Sequence, residues 1–412
     1  AANEGHIDAV KVLLNHNADV DTPDQMTKTP LVNAIFNSRK DMLKFLIDAK
    51  AALDIGSLLN LSPLAIAAMR GNVDALELLI EANAPFQMDG EHSIIPFTLA
   101  RDSGNPEALE CLLRHSNLQG ETLDHATMML ATMKGDTATM QRLLDKKISL
   151  EMTDDQWNES FLIAAAKAGH AQALELLINA KAPLDVQNKF SQTPLMCAVT
   201  QGHIAAAQVL LDAKADVDTP GRMKRTSLNM AASLGKTDMI KVLIAANASV
   251  HSRDLVQRTP LMLAAEKGNV DAIRVLLSVG ARVDDVDKHG VTALILASQN
   301  GQADATKALL EANADLTHRD RQEKDALNWA LLQGHVDVVR VLLDAHATIN
   351  SRDISFEASW KSPPNEQQVE AFELVVNAGA VVEVDGDKPV GPLMLATLKG
   401  DLAAMKTLID AN

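Results

Sequence analysis

The sequence predicts an all-α solenoid, a stack of short helices, and three observations support this fold class. Glycines recur on a 33-residue grid, and a fixed period of this length is typical of a solenoid rather than a globule. Each grid glycine stands between two short segments with helical apolar spacing. Aromatic residues make up only 3% of a chain that is 47% hydrophobic, which suits a thin stack of Ala, Leu and Val side chains. The grid begins at Gly5 and includes Gly71, Gly104, Gly202, Gly235, Gly268, Gly301, Gly334 and Gly400.

The repeat around Gly268 predicts a first helix. Thr259 and Pro260 begin it, because threonine is a favoured N-cap and proline fits the first helical position. Gly268 ends the helix, as expected of a C-terminal residue with left-handed backbone. Its apolar face is predicted to be narrow and to consist of Leu261, Leu263, Ala264 and Ala265.

A second helix follows directly and ends near Gly280. Asp271 lies in its first turn, where a carboxylate complements the helix dipole. The chain from Val283 to Gly290 then forms a finger, which we define as the extended loop that leads to the next first helix. The predicted buried stripe of the second helix consists of Val270, Ile273, Leu276 and Leu277.

The same unit recurs from Gln192, as QTPLMCAVTQGHIAAAQVLLDAKADVD, and from Leu61, as LSPLAIAAMRGNVDALELLIEANAP. The T-P-L opening, the A-A pair, the G-H or G-N step and the V-L-L run resemble the signature of the ankyrin repeat. The resemblance covers essentially the whole chain in about thirteen units, of which the first and last are incomplete. It implies one elongated, curved ankyrin-type array over residues 1–412, with β-hairpin or finger loops. The incomplete end units are interpreted as the ends of a piece of a longer protein.

The pattern departs from this rule at about residues 101–159: Gly135 in this stretch and Gly169 just after it lie off the grid. The segment before Thr127 replaces the usual finger, and Thr127 itself replaces the T-P-L threonine. This change is either drift in a tolerated loop or a change of superhelical curvature that divides the array.

A sharper break lies at about residues 353–380, where Gln367 occupies the grid point. Because Pro363-Pro364 cannot continue an α-helix, an irregular segment is predicted to replace the first helix of this unit. Phe356 and Trp360 then either cover the gap in the core or contact a partner. The second helix is predicted to survive through Val369, Phe372, Val375 and Val376.

Composition excludes several kinds of function. The formal net charge of −16 argues against non-specific binding to nucleic acid or to anionic membranes. No stretch of the sequence is apolar for long enough to span a bilayer. Cys111 and Cys197 lie more than two repeats apart on apolar helix faces, so both are predicted to be small core residues without a disulfide.

No motif in the sequence indicates catalysis. It contains no G-x-S-x-G, P-loop, H-E-x-x-H or C-x-x-C pattern, and its twelve histidines do not cluster at metal-ligand spacing. We therefore expect neither an enzyme nor a metal or cofactor site. Four histidines directly follow a grid glycine, and polar capping of the second helix is the favoured explanation. These four are His6, His170, His203 and His335.

The finger tips are the candidate binding surface, because the resemblance implies that partners bind the concave face formed by fingers and first helices. Turn tips normally carry Asn, Asp, Gly or Ser, but seven of the first eight tips here are apolar. This row either contacts a partner or packs against neighbouring fingers; contact is favoured for Trp157 and Phe190, which are expected to be adjacent. The tips are Met26, Leu59, His92, Leu123, Trp157, Phe190, Met223, Val256, His289, Gln322 and Ser355.

Basic residues concentrate in the fingers from residue 220 onward, either as a solvated mixed-charge edge or as a docking stripe for an acidic protein surface. Interleaved aspartates such as Asp254 and Asp287 open the fingers, where the family uses Asp to brace the turn. Only Gly290 keeps the family's turn glycine. The basic residues predicted to bind a partner are Arg222, Arg225, Arg258, Lys288 and Arg321.

The leading hypothesis is a scaffold that binds one or more proteins, with no nucleic acid partner and no membrane insertion, and with a monomer favoured. The alternatives are a targeting or regulatory arm of a larger enzyme or toxin, and an inhibitor or immunity protein that blocks a partner enzyme. In the leading hypothesis the apolar tips anchor the partner and the basic residues orient it.

Overall fold

The computed structural model describes residues 1–55, 61–86, 95–150, 160–350, 365–379, 381–382, 400 and 405. The regular structure of these residues is almost entirely α-helical, which confirms the all-α solenoid class. The chain comprises two compact units, residues 1–189 and residues 190–412.

In the first unit, first helices pack on first helices of neighbouring repeats, and second helices pack on second helices. Its helices are α1 (Ile7–Asn15), α2 (Pro30–Phe36), α3 (Lys40–Asp48), α4 (Pro63–Met69), α5 (Val73–Glu81), α6 (Ile95–Asp102), α7 (Pro106–Arg114), α8 (Gly120–Lys134), α9 (Thr137–Asp145), α10 (Phe161–Ala168) and α11 (Ala171–Asn179).

The second unit repeats this arrangement and adds a short parallel pair of strands, with Ile349 opposite Val381 and Asn350 opposite Val382. Its elements are α12 (Pro194–Gln201), α13 (Ile204–Asp212), α14 (Ser227–Ser233), α15 (Thr237–Ala245), α16 (Pro260–Lys267), α17 (Val270–Ser278), α18 (Ala293–Gln299), α19 (Ala303–Glu311), α20 (Ala326–Gln333), α21 (Val336–Asp344), β1 (Ile349–Asn350), α22 (Glu366–Asn377) and β2 (Val381–Val382).

The predicted helix ends are confirmed in the repeat around Gly268. The Thr259 hydroxyl accepts a hydrogen bond from the Met262 N–H at 3.3 Å, so it caps α16 as expected. Gly268 has φ of 73° and ends the helix in the left-handed region. A Cβ at this position would lie 2.8 Å from Cδ of Gln302 in the next repeat, so that flexible side chain would have to move aside.

The first helices are buried on more than the narrow face predicted. In α16 all residues from Pro260 to Ala265 are buried, including Met262, because the helix lies between neighbouring first helices and its own second helix. Only the C-terminal end of α16, at Glu266 and Lys267, reaches solvent. First helices such as α16 therefore offer little surface to a partner.

The second helix α17 buries a narrower stripe than predicted. Ile273 and Leu276 are buried as expected, but Val270 and Leu277 are only half-buried, and Ala272 takes their place in the core. Cys111 and Cys197 are buried free thiols, which confirms their predicted core role. Burial raises the pKa of the Cys111 thiol.

The first break in the repeat is a long helix rather than an altered loop. The 15-residue α8 begins at Gly120, so Thr127 lies inside it and does not cap a helix. The segment contains no proline and has Glu121 in its first turn, and both features favour helix over a finger. The prediction that Leu123 is a finger tip is therefore wrong, because this residue lies in the first turns of α8.

The predicted capping role of the histidines after the grid glycines is also wrong. His170 and His335 occupy N-cap positions, but neither side chain bonds to its own helix. Instead, Nε2 of His170 lies 3.0 Å from the Met133 carbonyl oxygen, and Nε2 of His335 lies 3.0 Å from that of Gln299. Because a carbonyl only accepts, Nε2 carries the proton in both rings.

These contacts join the second helix of one repeat to the end of the first helix in the preceding repeat, where the last carbonyls have no partner within their own helix. Asn269 makes the same link, since its Nδ2 donates to the Ala232 carbonyl at 2.9 Å and to that of Ser233 at 3.1 Å. The position after the grid glycine therefore holds successive repeats together.

At the second break, Gln367 lies inside α22, and Phe372 and Val375 are buried there as predicted. Val369 and Val376 are half-buried. The predicted irregular segment from 353 to 364, with Phe356 and Trp360, lies outside the described residues.

Candidate protein-binding surface

The fingers of the second unit are built around an aspartate that braces the turn. Oδ1 of Asp254 accepts hydrogen bonds from the Val256 N–H at 2.9 Å and from the Arg258 N–H at 3.0 Å. Asp287 and Asp320 make the equivalent pairs of bonds in the next two fingers. This arrangement is the bracing role that the resemblance implied.

The missing turn glycines do not change the finger. Gln257 and Glu323 occupy the position of Gly290 and adopt the same left-handed backbone, with φ of 67° and 57° against 76° for the glycine. A residue with Cβ is disfavoured in this region, so the brace and the surrounding fingers hold these turns in a strained conformation.

Successive fingers are joined by backbone hydrogen bonds at their tips. The Leu255 N–H donates to the Met223 carbonyl at 2.7 Å, and the Lys288 N–H donates to the Val256 carbonyl at 3.0 Å. The Arg321 N–H repeats this contact on the His289 carbonyl at 3.0 Å. The tips therefore form a backbone ladder that fixes the spacing of the side chains it carries.

Two of the predicted binding arginines serve the fingers themselves. Nε of Arg225 lies 3.4 Å from Oδ2 of Asp254, and Nε of Arg258 lies 3.5 Å from Oδ2 of Asp287. Arg258 also contacts Glu266 at 2.9 Å. Each guanidinium thus supplies a donor to a buried carboxylate of the following finger, so its charge is already matched.

The three other predicted cations are open to solvent. Arg222, Lys288 and Arg321 are exposed, and their side chains form no ion pair with any other described residue. They share one position in the finger with Leu255, which is 52% exposed. We call these four residues, Arg222, Leu255, Lys288 and Arg321, the tip row.

Leu255 was not among the predicted binding residues, because the tip was indexed one residue later, at Val256. Val256 is only half-buried, whereas Leu255 points outward. The 33-residue spacing that aligns Leu255 with three cations would have identified it in the sequence.

Other predicted tip residues differ in their accessibility. Met223 is 46% exposed and Phe190 is 52% exposed, both in the second unit. Met26 in the first unit is 65% exposed. Leu59 and Trp157 lie outside the described residues, so the expected pairing of Trp157 with Phe190 does too.

Within the described ranges, no group of three His, Cys, Asp or Glu side chains comes together as a metal site. None of the helices described is both long and apolar enough to cross a bilayer. On the exposed tips of residues 190–324, apolar side chains lie along the same finger edge as the three cations without an ion pair to a described residue.

Comparison with known families supports the repeat assignment. A family model described as ankyrin repeats (3 copies) matches residues 1–58, 128–221, 228–320 and 283–353, which together make up more than half of the chain. A search of curated proteins found no match.

Proposed function

Since the chain belongs to the ankyrin-repeat family, we propose that it is a protein-binding scaffold that engages its partner through the finger tips of the second unit. Ankyrin repeats are in general protein–protein interaction modules and are typically non-catalytic. The proposal adds to this general role the surface that makes the contact.

The observation that carries the proposal is the exposure of apolar side chains on rigid tips. The side chains of Met223 and Leu255 are 46% and 52% exposed, and a backbone hydrogen bond of 2.7 Å joins the two residues. Because hydrogen bonds already fix the backbone that carries these apolar groups, a partner that covers them does not have to order that backbone, which favours binding. Polar turn residues would otherwise be expected at these positions.

The unpaired cations beside these apolar groups support a role in orienting the partner. Arg222 and Lys288 flank Leu255 along the tip row, and both are exposed. Charges at the rim of an interface mainly set the association rate and the specificity, and salt screens their effect. Partner binding should therefore slow as ionic strength rises.

Affinity capture with matched variants tests the proposal. The double substitution Met223→Ser and Leu255→Ser should weaken capture of the partner about 30-fold or more, because truncation of an interface anchor costs about 1–2 kcal/mol or more. The control is Ile204→Ser with Val279→Ser, two apolar residues of the same unit that are 43% and 42% exposed away from the tips. Equal loss in both pairs, or loss in neither, would refute the assignment.

A further inference from the structure

We propose that the tip row binds an acidic segment of the partner in an extended, polyproline II-like conformation, with a recognised side chain at every third position. The inference rests on the proposed function and specifies the chemistry of the partner. It follows from the charge of the tip row and from the spacing of the fingers.

The row carries three cations, and the brace carboxylates of the fingers beside it are already occupied. Asp254 and Asp287 are 0% and 5% exposed, and their oxygens accept bonds from backbone N–H groups and from Arg225 and Arg258. Arg222, Lys288 and Arg321 have no such carboxylate among the described residues. A partner with carboxylates facing these three side chains supplies the missing counter-charge.

The backbone ladder sets the distance between successive members of the row. One backbone N–H···O=C hydrogen bond of normal length holds the Cα atoms of the bonded residues about 5–6 Å apart. Met223, which accepts the bond from Leu255, follows Arg222 by one Cα–Cα step of about 3.8 Å. The Cα atoms of Arg222 and Leu255 are therefore at most about 9–10 Å apart.

A polyproline II segment fits within this limit. It has three residues per turn and rises about 3.1 Å per residue, so every third side chain lies on one face at intervals of about 9 Å. A β-strand places residues i and i+3 on opposite faces. An α-helix returns to the same face after seven residues, or about 10.5 Å. This repeat is longer than the spacing of the row, and the difference adds up over its four positions.

The order of the row then defines the pattern that it recognises. Arg222, Lys288 and Arg321 each face an acidic residue, and Leu255 faces an apolar one. The partner segment reads acidic-x-x-apolar-x-x-acidic-x-x-acidic in one of the two chain directions. Its polyproline conformation is largely formed before binding, which reduces the entropy lost on association.

Fluorescence anisotropy with the full chain and synthetic peptides tests this inference. The probe is a labelled ten-residue peptide with Glu at its first, seventh and tenth positions, Leu at its fourth and Pro elsewhere, together with the same peptide in reverse order. One of the two should bind saturably, and at least fivefold more tightly than a peptide of identical composition with these side chains at every second position.

Charge reversal supplies the matched variants. Arg222→Glu, Lys288→Glu and Arg321→Glu together should weaken binding about 10- to 100-fold, at about 2- to 5-fold for each lost pair. Lys241→Glu, Arg274→Glu and Lys307→Glu change the net charge equally on second helices of the same unit and should leave binding unchanged. Circular dichroism verifies that both variants are folded.

The outcomes separate this inference from the function on which it rests. Saturable binding that ignores the spacing of the side chains, or that survives the tip-row reversal, overturns the proposed recognition. Absence of peptide binding, combined with partner capture that still depends on Met223 and Leu255, overturns the partner chemistry and leaves the proposed function intact. If no peptide binds and partner capture does not depend on Met223 and Leu255, both the inference and the proposed function are refuted.

Discussion

The brace of the finger that contains Asp320 offers a sharp test of how the tips are held. Asp320 is 4% exposed and accepts hydrogen bonds from the Gln322 N–H at 2.8 Å, the Lys324 N–H at 3.1 Å and Nε1 of Trp329 at 2.9 Å. Trp329→Phe keeps an aromatic ring but removes the donor together with the five-membered ring that carries it. The buried Oδ2 then loses its partner, which should cost about 1–3 kcal/mol.

A second substitution should restore the lost donor from elsewhere. In the two preceding fingers an arginine placed 29 residues before the aspartate donates to Oδ2, as Arg258 does to Asp287. Val291 stands at that distance before Asp320. Val291→Arg should therefore rescue the Trp329→Phe variant, and the pair should show a favourable coupling of about 1–3 kcal/mol in a double-mutant cycle.

Native-state hydrogen exchange is the suitable assay, because a long repeat array need not unfold in one step. The Gln322 and Lys324 amides should exchange about 5- to 150-fold faster in Trp329→Phe, which corresponds to 1–3 kcal/mol. The Val256 amide, which is bonded to Asp254 in a distant finger, should not change. Unaltered protection of Gln322 and Lys324, or no rescue by Val291→Arg, would refute the reasoning.

Three further outcomes are expected. Gln257→Gly should stabilise its finger by about 0.5–1 kcal/mol, because relief of the left-handed strain exceeds the entropy cost of glycine, and slower amide exchange would show it. Asn328→Ile should raise the free energy of unfolding by about 1–3 kcal/mol in thermal denaturation, because its buried Nδ2 has no acceptor among the described residues and Ile295 fills the equivalent site. The pKa of Asp24 lies below its ordinary value, chiefly because Nδ2 of Asn33 donates a hydrogen bond to its carboxylate. The ionised carboxylate should therefore stabilise the folded state fully at pH values above the ordinary pKa, and this contribution should be lost as the pH falls through the lowered pKa. Carboxyl NMR should show the pKa of Asp24 rising in Asn33→Ala, and an unchanged titration would contradict this cause.

Local chemistry made the repeat predictable from the sequence. Thr259 and Pro260 begin a helix and Gly268 ends it through interactions within a few residues. The local amino-acid sequence was therefore enough to place both helix ends. The same local reasoning failed at Leu123, because the segment without a T-P-L opening was interpreted as a modified finger. A continuous segment without proline instead favours a long helix.

Contacts between repeats were the part that sequence reasoning missed. The bond from His170 to the Met133 carbonyl spans 37 residues, and the contact of Arg258 with Asp287 spans 29. The residues beside Arg258 do not reveal this pairing, because it depends on the aspartate of the following finger. Which side chains remain available to a partner is therefore decided by stacking, which became visible only in the structure.

The most direct test of the tip surface is site-specific photocrosslinking of the full chain in its own cell extract. A benzoylphenylalanine residue introduced in place of Met223 should crosslink to a partner protein, and one introduced in place of Ile204, which is similarly exposed at 43%, should not. Crosslinking confined to the Ile204 position, or equal at both, would contradict the assignment of the finger tips as the binding surface.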